Sequence, residues 1–329
     1  MHERQRRNGD LNMKNQSKFP ILFLQPVLKQ MVWGGSRLHT DFGYESEADN
    51  LGECWGIAAH PNGDSALKNE EFSGMTLSKL WKEKPEFFGT YDTEQFPLLI
   101  KIIDAKSDLS IQVHPDDAYA QKNENGSLGK MECWYIIDCP ENAVLVAGHN
   151  AQTAEELESM VHDGKWDDLI RKIPIQKGDF IQIDPGTVHA ITAGCLILET
   201  QQNSDITYRL YDYGRMVDGK PRELHIKQSL DVIQVPAKAA KDSVLKTGGL
   251  PKNQMNELIS CQYYTVYKLN VSSKCSVSHD KSFLNMSVLE GSGTVDGIPV
   301  KKGDHFIIPA NYGKIELSGE LEIIASDAK

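Results

Sequence analysis

Residues 177–191 read KGDFIQIDPGTVHAI, and residues 302–315 read KGDHFIIPANYGKI. Each copy opens on a Lys-Gly-Asp turn, runs through a short apolar segment and bends at a proline. Gly and Asp tolerate the backbone of a tight turn, and a short run rich in β-branched and aromatic residues between such turns reads as a strand. Four residues beyond the proline the first copy carries His189 and the second Gly313. The pair predicts two similar β-modules, one with a polar site and one without it. Gly-Asp turns before strands are common, so the echo is a modest argument until the rest of the chain supports it.

Working outward, the same rhythm recurs in FPLLIKIIDA, CWYIIDC, AVLVAG, CLILET, TVYKLNV and FLNMSVLEG, each set between Gly, Pro, Asn or Asp. That is the pattern of a sandwich or barrel. Two stretches break it. TLSKLWKEKPEFFG (76–89) and TAEELESMVHDGKWDDLIRK (153–172) read as helical insertions, the second opening on a Thr153/Glu156 capping box. Linker-like composition near residues 237–255 places a boundary there. The expected division is a disordered tail over 1–17, a site-bearing domain over 18–245 and a smaller β-domain over 246–329.

A net charge of −11 argues against nucleic acid, whose partners normally present a basic face. A small anionic substrate would need a local positive pocket. FPILFLQPVL is too short for a membrane span and is interrupted by Pro26; the basic N-terminal stretch has no apolar segment of signal-peptide length. Six cysteines without a CxxC pair read as reduced structural thiols. The expectation is a soluble, cytoplasmic protein.

The chemistry gathers around SIQVHPDD (110–117). Strand side chains two apart share a face, so Gln112 and His114 project together, as do Lys130 and Glu132 in GKMECWYII (129–137). His189 enters from the Pro185-Gly186 turn. Two imidazoles, one carboxylate and one amide oxygen suit a divalent metal such as zinc, with a position left for water or substrate. The centre would stay net positive and act as a Lewis acid. Singly these residues are weak: a histidine at a strand end is more often a surface or hydrogen-bonded residue, and a Lys-x-Glu pair is usually a solvated face. ETQQNSDITYRLYDYGR (199–215), with Glu199, Asp205 and Arg209, reads alone as a polar loop. The combination carries the reading.

These residues resemble the type I mannose-6-phosphate isomerases, in their short bacterial form, which have a cupin fold. The resemblance runs through MVWGG (31–35), GECWGIAAHPNG (52–63), FPLLIKIIDAKSDLSIQVHPDD (96–117), GKMECWYII, PGTVHAI (185–191) and ETQQNSDITYRLYD (199–212), nearly the whole chain. It implies a mainly β fold, a cupin-type β-barrel or jelly roll with helical insertions, and a second, smaller, degenerate cupin-like module without a metal site. It implies one zinc per chain on Gln112, His114, Glu132 and His189. Arg209 matches the catalytic arginine, Lys130 lies in the pocket, and Ser110 matches a phosphate-contact serine. Glu199 and Asp205 fit the family's E-x5-D-x3-R spacing ahead of Arg209. Ile191 stands where long eukaryotic members have a pocket tyrosine.

The reaction so implied interconverts mannose 6-phosphate and fructose 6-phosphate through an enediol-type intermediate. Lys130, Glu199 and a water at the metal remain open as the base. The implied partner is a small phosphorylated sugar, with the oligomeric state open between monomer and weak dimer. Two alternatives stand beside this reading. Another metal-dependent cupin enzyme, such as an iron dioxygenase, usually pairs His-x-His where this chain has Gln112-x-His114. A non-catalytic sugar-phosphate-binding cupin has no need for Lys130, Glu199, Asp205 and Arg209 together.

Overall fold

Side-chain alternation sets the layers. In the Leu98–Asp104, Glu132–Asp138 and Leu196–Gln202 strands, successive residues enter two different cores. Ile100, Ile102, Cys133, Tyr135, Leu196 and Leu198 point one way; Ile103, Trp134, Ile136 and Ile197 point the other. Burial on both faces explains why these strands read as nearly unbroken apolar runs. The computed structural model describes residues 19–91, 93–280 and 282–329, so the tail expected over 1–17 lies outside the described residues.

These strands form the middle of a seven-stranded antiparallel sheet. Its order is Val244–Lys246, Asp179–Ile183, Glu132–Asp138, Leu196–Gln202, Leu98–Asp104, Leu51–Ile57 and Val27–Gly35. One face packs, through Leu145, Ala147 and Ile173, on a five-stranded sheet. That sheet runs Ile170–Pro174, Val144–His149, His189–Ala190, Ile111–Val113 and Tyr208–Tyr211. The other face packs, through Tyr264, Val266, Ile307 and Ile324, on an eight-stranded sheet dominated by Tyr264–His279, Leu284–Val295 and Gly313–Ala328. The expected β class is observed, but the strands lie in stacked open sheets instead of one closed barrel. The strands at the open end are short, Ile111–Val113 and His189–Ala190, and Pro115 and Pro185 beside them have no N–H to extend a ladder.

The repeated turn is real in three dimensions. Gly178 and Gly303 both take left-handed backbone, with φ of 87° and 90°. In each copy the aspartate closes the turn: Asp179 Oδ2 accepts from Gln176 N at 2.9 Å, and Asp304 Oδ2 accepts from Lys301 N at 2.8 Å. The two copies lie in different sheets. Between those sheets His305 is buried; Ser287 Oγ lies 2.8 Å from its Nδ1 and Tyr44 Oη 2.9 Å from its Nε2. Gly56 faces this ring closely: a Cβ there would sit 2.4 Å from it.

Sheet membership does not follow the chain in blocks. Leu22–Gln25 pairs with His305–Ile308 on one side and Ala66–Leu67 on the other, so early strands complete the sheet that holds the C-terminal ones. Val244–Lys246, inside the linker-like stretch, completes the seven-stranded sheet. The insertion at 76–89 is a helix over Leu77–Glu83 followed by a 3-10 turn over Pro85–Phe87, since Pro85 cannot continue the helix. In the second insertion Thr153 Oγ1 accepts from Glu156 N at 3.2 Å and starts the helix Ala154–His162. That helix does not reach Lys172. Gly164, at φ 66°, follows its end, Trp166–Leu169 makes one further turn, and Ile170–Pro174 is an edge strand whose Ile173 enters the core. Among the described residues no helix is long and apolar enough to cross a membrane.

Candidate metal centre and active-site cleft

Register brings the candidate ligands together. His189 pairs directly with Gln112 across one side of the Ile111–Val113 strand, and Arg209 pairs with Gln112 across the other. Glu132 begins its strand on the facing seven-stranded sheet, paired with Ile183 and Gln201. His114 follows Gln112 by two and comes just before Pro115, which precedes a turn into the helix Asp117–Asn123.

Ligand atoms of His114, Glu132 and His189 all lie within 4.8 Å of one another. His114 Nε2 is 3.4 Å from Glu132 Oε2, and His189 Nε2 is 3.4 Å from Glu132 Oε1. Lys130 Nζ stands 3.1 Å from both His114 Nε2 and Glu132 Oε2. The three candidate ligands are 0–1% exposed, and apart from the Lys130 ion pair at Oε2 no hydrogen-bond donor among the described residues serves the Glu132 oxygens. A buried carboxylate left so is costly, and a cation between the imidazoles would satisfy it.

The protonation states fit the same reading. His189 Nδ1 lies 2.9 Å from the Thr187 carbonyl, which places its proton there and leaves Nε2 as a lone pair facing Glu132. Burial, aided by Lys130, pushes His114 down to about 3, and burial also lowers His189. For Glu132 burial acts upward, but Lys130, His114 and His189 outweigh it and hold the carboxyl well below its ordinary range. Two neutral imidazoles and a carboxylate are what a divalent cation binds. Gln112 presents its amide nitrogen to His189 Nε2 at 3.2 Å while its oxygen accepts from Ser110 Oγ at 3.3 Å. Amide orientation is set by such contacts, and as an oxygen ligand Gln112 has its amide turned over, with Ser110 then accepting.

Above this cluster lies a cleft of about 270 Å³ between the two sheets. In a chain of net charge −11, its wall carries the cations Lys29, Lys101, Lys130, Arg209 and Arg222 against the carboxylates Glu53, Glu199 and Asp205. Lys101, Glu199 and Trp134 form a row across adjacent strands. Lys101 Nζ is 3.3 Å from Glu199 Oε1, and Trp134 Nε1 donates to Glu199 Oε2 at 2.9 Å. Burial and the nearby Glu132 raise the Glu199 carboxyl, with Lys101 opposing. Lys101 itself is raised: burial acts downward, but Glu53, Glu199 and Glu132 prevail. Trp55 donates to Glu53 at 2.6 Å and lies 5.1 Å beneath Lys101 Nζ.

The structure brings Gln112, His114, Lys130, Glu132 and His189 to one point and sets Ser110, Glu199 and Arg209 on the adjoining wall. Arg209 has no carboxylate in ion-pair distance among the described residues, and its buried Nε is unpartnered. Burial and Arg222 lower its pKa, though a guanidinium stays charged. Asp205 is also on the wall, half exposed and bonded to Asn62, with His60 3.6 Å away. Ile191 lines the cleft as well. Sequence reasoning missed Lys101, Glu53 and Arg222. A lysine in the middle of FPLLIKIIDA was the available signal for the first; Arg222, in a loop, offered none.

A cluster of two histidines and a glutamate at the open end of stacked antiparallel sheets defines a protein of the cupin class. Residues 21–137 match the catalytic domain of type I phosphomannose isomerase, and residues 254–328 match the cupin domain of mannose-6-phosphate isomerase. The chain is 48% identical over 310 residues to the mannose-6-phosphate isomerase ManA of Bacillus subtilis, covering 93% of this chain and 98% of the relative. It is 45% identical over 311 residues to the mannose-6-phosphate isomerase of Streptococcus mutans, covering 93% and 97%. A crystal structure of the Bacillus subtilis mannose 6-phosphate isomerase is similar at a TM-score of 0.87 and 43% identity, covering 93% and 99%. The apo mannose 6-phosphate isomerase of Salmonella typhimurium, at 16% identity, shares the fold with a TM-score of 0.74, covering 94% and 99%. The chain belongs to the type I mannose-6-phosphate isomerase family, and it is an isomerase. The dioxygenase and non-catalytic alternatives are thereby set aside.

Proposed function

We propose that this cleft interconverts mannose 6-phosphate and fructose 6-phosphate through an enediol, with one zinc ion held by His114, Glu132, His189 and the Gln112 oxygen. The observation that carries it is the buried Glu132 carboxylate set between two neutral imidazoles, their ligand atoms all within 4.8 Å, at the foot of a cleft richer in cations than in acids. Bound there, the metal would supply Lewis acidity toward a sugar oxygen. The type I family match and the donor set support it equally.

The chain's own groups do the rest. Isomerisation moves one proton between C1 and C2 and one hydroxyl proton between O1 and O2. Glu199, raised by burial and Glu132, takes the carbon-bound proton and returns it; a carboxyl moved toward neutrality suits a group that must do both. Trp134 and Lys101 hold its two oxygens in place. Lys130, beside His114 and Glu132, passes the hydroxyl proton between O1 and O2. Arg209 stabilises the charge that develops on the sugar oxygen. Ser110 and Arg222 meet the phosphate, and Asp205 accepts from sugar hydroxyls at the mouth. In this reading residues 18–245 carry the chemistry, and 246–329 form the module without a metal site. Free thiols at all six cysteines support a cytoplasmic location.

A coupled assay from fructose 6-phosphate, before and after chelation and with zinc restored, tests the proposal. Activity disappears on chelation and returns with zinc. His114→Ala loses both bound metal and turnover. A metal-free His189→Ala protein with full activity refutes the ligand set.

A further inference from the structure

One hydroxyl from the C-terminal part of the chain joins the frame around Lys130. Tyr263, in the turn between the Met255–Ser260 and Tyr264–His279 strands, donates to Asp117 Oδ2 at 2.7 Å. The other oxygen of that carboxylate accepts from Gly129 N at 2.7 Å and from Gln202 Nε2 at 3.0 Å. The Gln202 oxygen in turn accepts from Met131 N at 2.9 Å, while Gln202 N donates to Met131 O at 3.0 Å. Lys130 N donates to the Pro115 carbonyl at 3.0 Å.

Every N–H of the Gly129–Lys130–Met131 segment is therefore fixed, one by Asp117 itself and one by Gln202, which is tied to Asp117. Gly129 lies flush on the start of the neighbouring helix: a Cβ there would sit 2.4 Å from the Asp116 carbonyl carbon and 2.5 Å from Asp117 N. The close approach requires glycine and removes slack from the segment. The one side chain this frame aims inward is Lys130, with Nζ 3.1 Å from His114 Nε2.

From this geometry we infer that Tyr263, through Asp117, is a positioning residue for Lys130, so that the C-terminal module sets the alignment of the active site. A carboxylate taking three donors holds its partners through charge-assisted bonds, stronger than neutral ones. Removing the phenol leaves Asp117 tied on one side only and lets the segment drift. A misplacement of about 1 Å remote from the chemistry can cost about a hundredfold in rate; a partial loss of restraint should cost less. The inference rests on the role proposed above for Lys130.

The test compares Tyr263→Phe, Asp117→Asn, Lys130→Ala and Tyr91→Phe in the full-length enzyme, by kcat, KM, bound metal and Tm. Tyr91 is a matched control, since its hydroxyl also bridges to the C-terminal sheet, at Ala328 O and 2.8 Å, but away from this frame. Tyr263→Phe should lower kcat about tenfold, Asp117→Asn by more, with KM within about twofold and metal retained. Tyr91→Phe should keep wild-type kcat. Wild-type kcat in Tyr263→Phe, beside an inactive Lys130→Ala, overturns the inference. So does an equal fall in Tyr91→Phe, which would mean general loosening. A fully active Lys130→Ala instead removes the proposed role of Lys130, and the inference with it, so the two failures are distinguishable.

Discussion

Replacing Lys101 with methionine isolates the buried charge row. Lys101 and Glu199 are 5% and 4% exposed, Nζ lies 3.3 Å from Glu199 Oε1, and Glu53 Oε2 is 4.0 Å away. Methionine keeps most of the stem's volume, so the lost ammonium is the main change. Removing one partner of a buried pair costs about 3–5 kcal/mol when the other must stay charged. Glu199 has an escape, because its carboxyl already lies above its ordinary value through burial and Glu132. Without Lys101 it rises further and takes up a proton.

The pH dependence follows from that direction. A carboxyl raised in the folded state contributes stability that is present below the unfolded value, about 4.3 for glutamate, and is lost as pH rises through the folded value. The gap between Lys101→Met and wild type should thus be small near pH ~5 and approach about 3–5 kcal/mol in alkaline buffer. Urea unfolding at several pH values measures it. The acid limb of kcat should also move to higher pH, because the base must be ionised to act. A gap under about 1 kcal/mol at every pH, with the acid limb unmoved, would show that Lys101 does not control Glu199.

Arg209→Ala should retain metal while kcat falls by about 10²–10³, the loss seen when one oxyanion donor is removed; metal analysis beside steady-state kinetics checks both halves. Gly56→Ala forces a methyl group against the His305 ring between two sheets and should cost about 1–3 kcal/mol, read as a lower Tm. Thr153→Ala removes the helix cap formed with Glu156 N and should cost about 1 kcal/mol without changing kcat.

The candidate ligands were legible because strand parity is local: Gln112 with His114, and Lys130 with Glu132, share faces whatever their strands pair with. The turn echo was legible for the same reason, since Gly178 and Gly303 act within a few residues. What parity cannot give is register between distant segments. The pairing of His189 with Gln112 depends on sheet order, and so does the row of Lys101, Glu199 and Trp134. FPLLIKIIDA hid its lysine because both faces of that strand are buried, leaving no polar side to show where Lys101 points. The helix expected over 153–172 ends at His162 because Gly164 breaks it, and the isoleucines of Ile170–Pro174 belong to a strand although they continue the helical periodicity before them. Asp117 and Tyr263, 146 residues apart, carry no pattern that joins them.

The pairing of Leu22–Gln25 with His305–Ile308 bears on how the chain can be made and cut. As it leaves the ribosome, this strand must wait for a partner that follows far later in the chain, a non-local closure of the kind that slows folding. Separate expression of the two halves would leave each with a bare strand edge, open to self-association. Truncation studies should therefore keep both ends together.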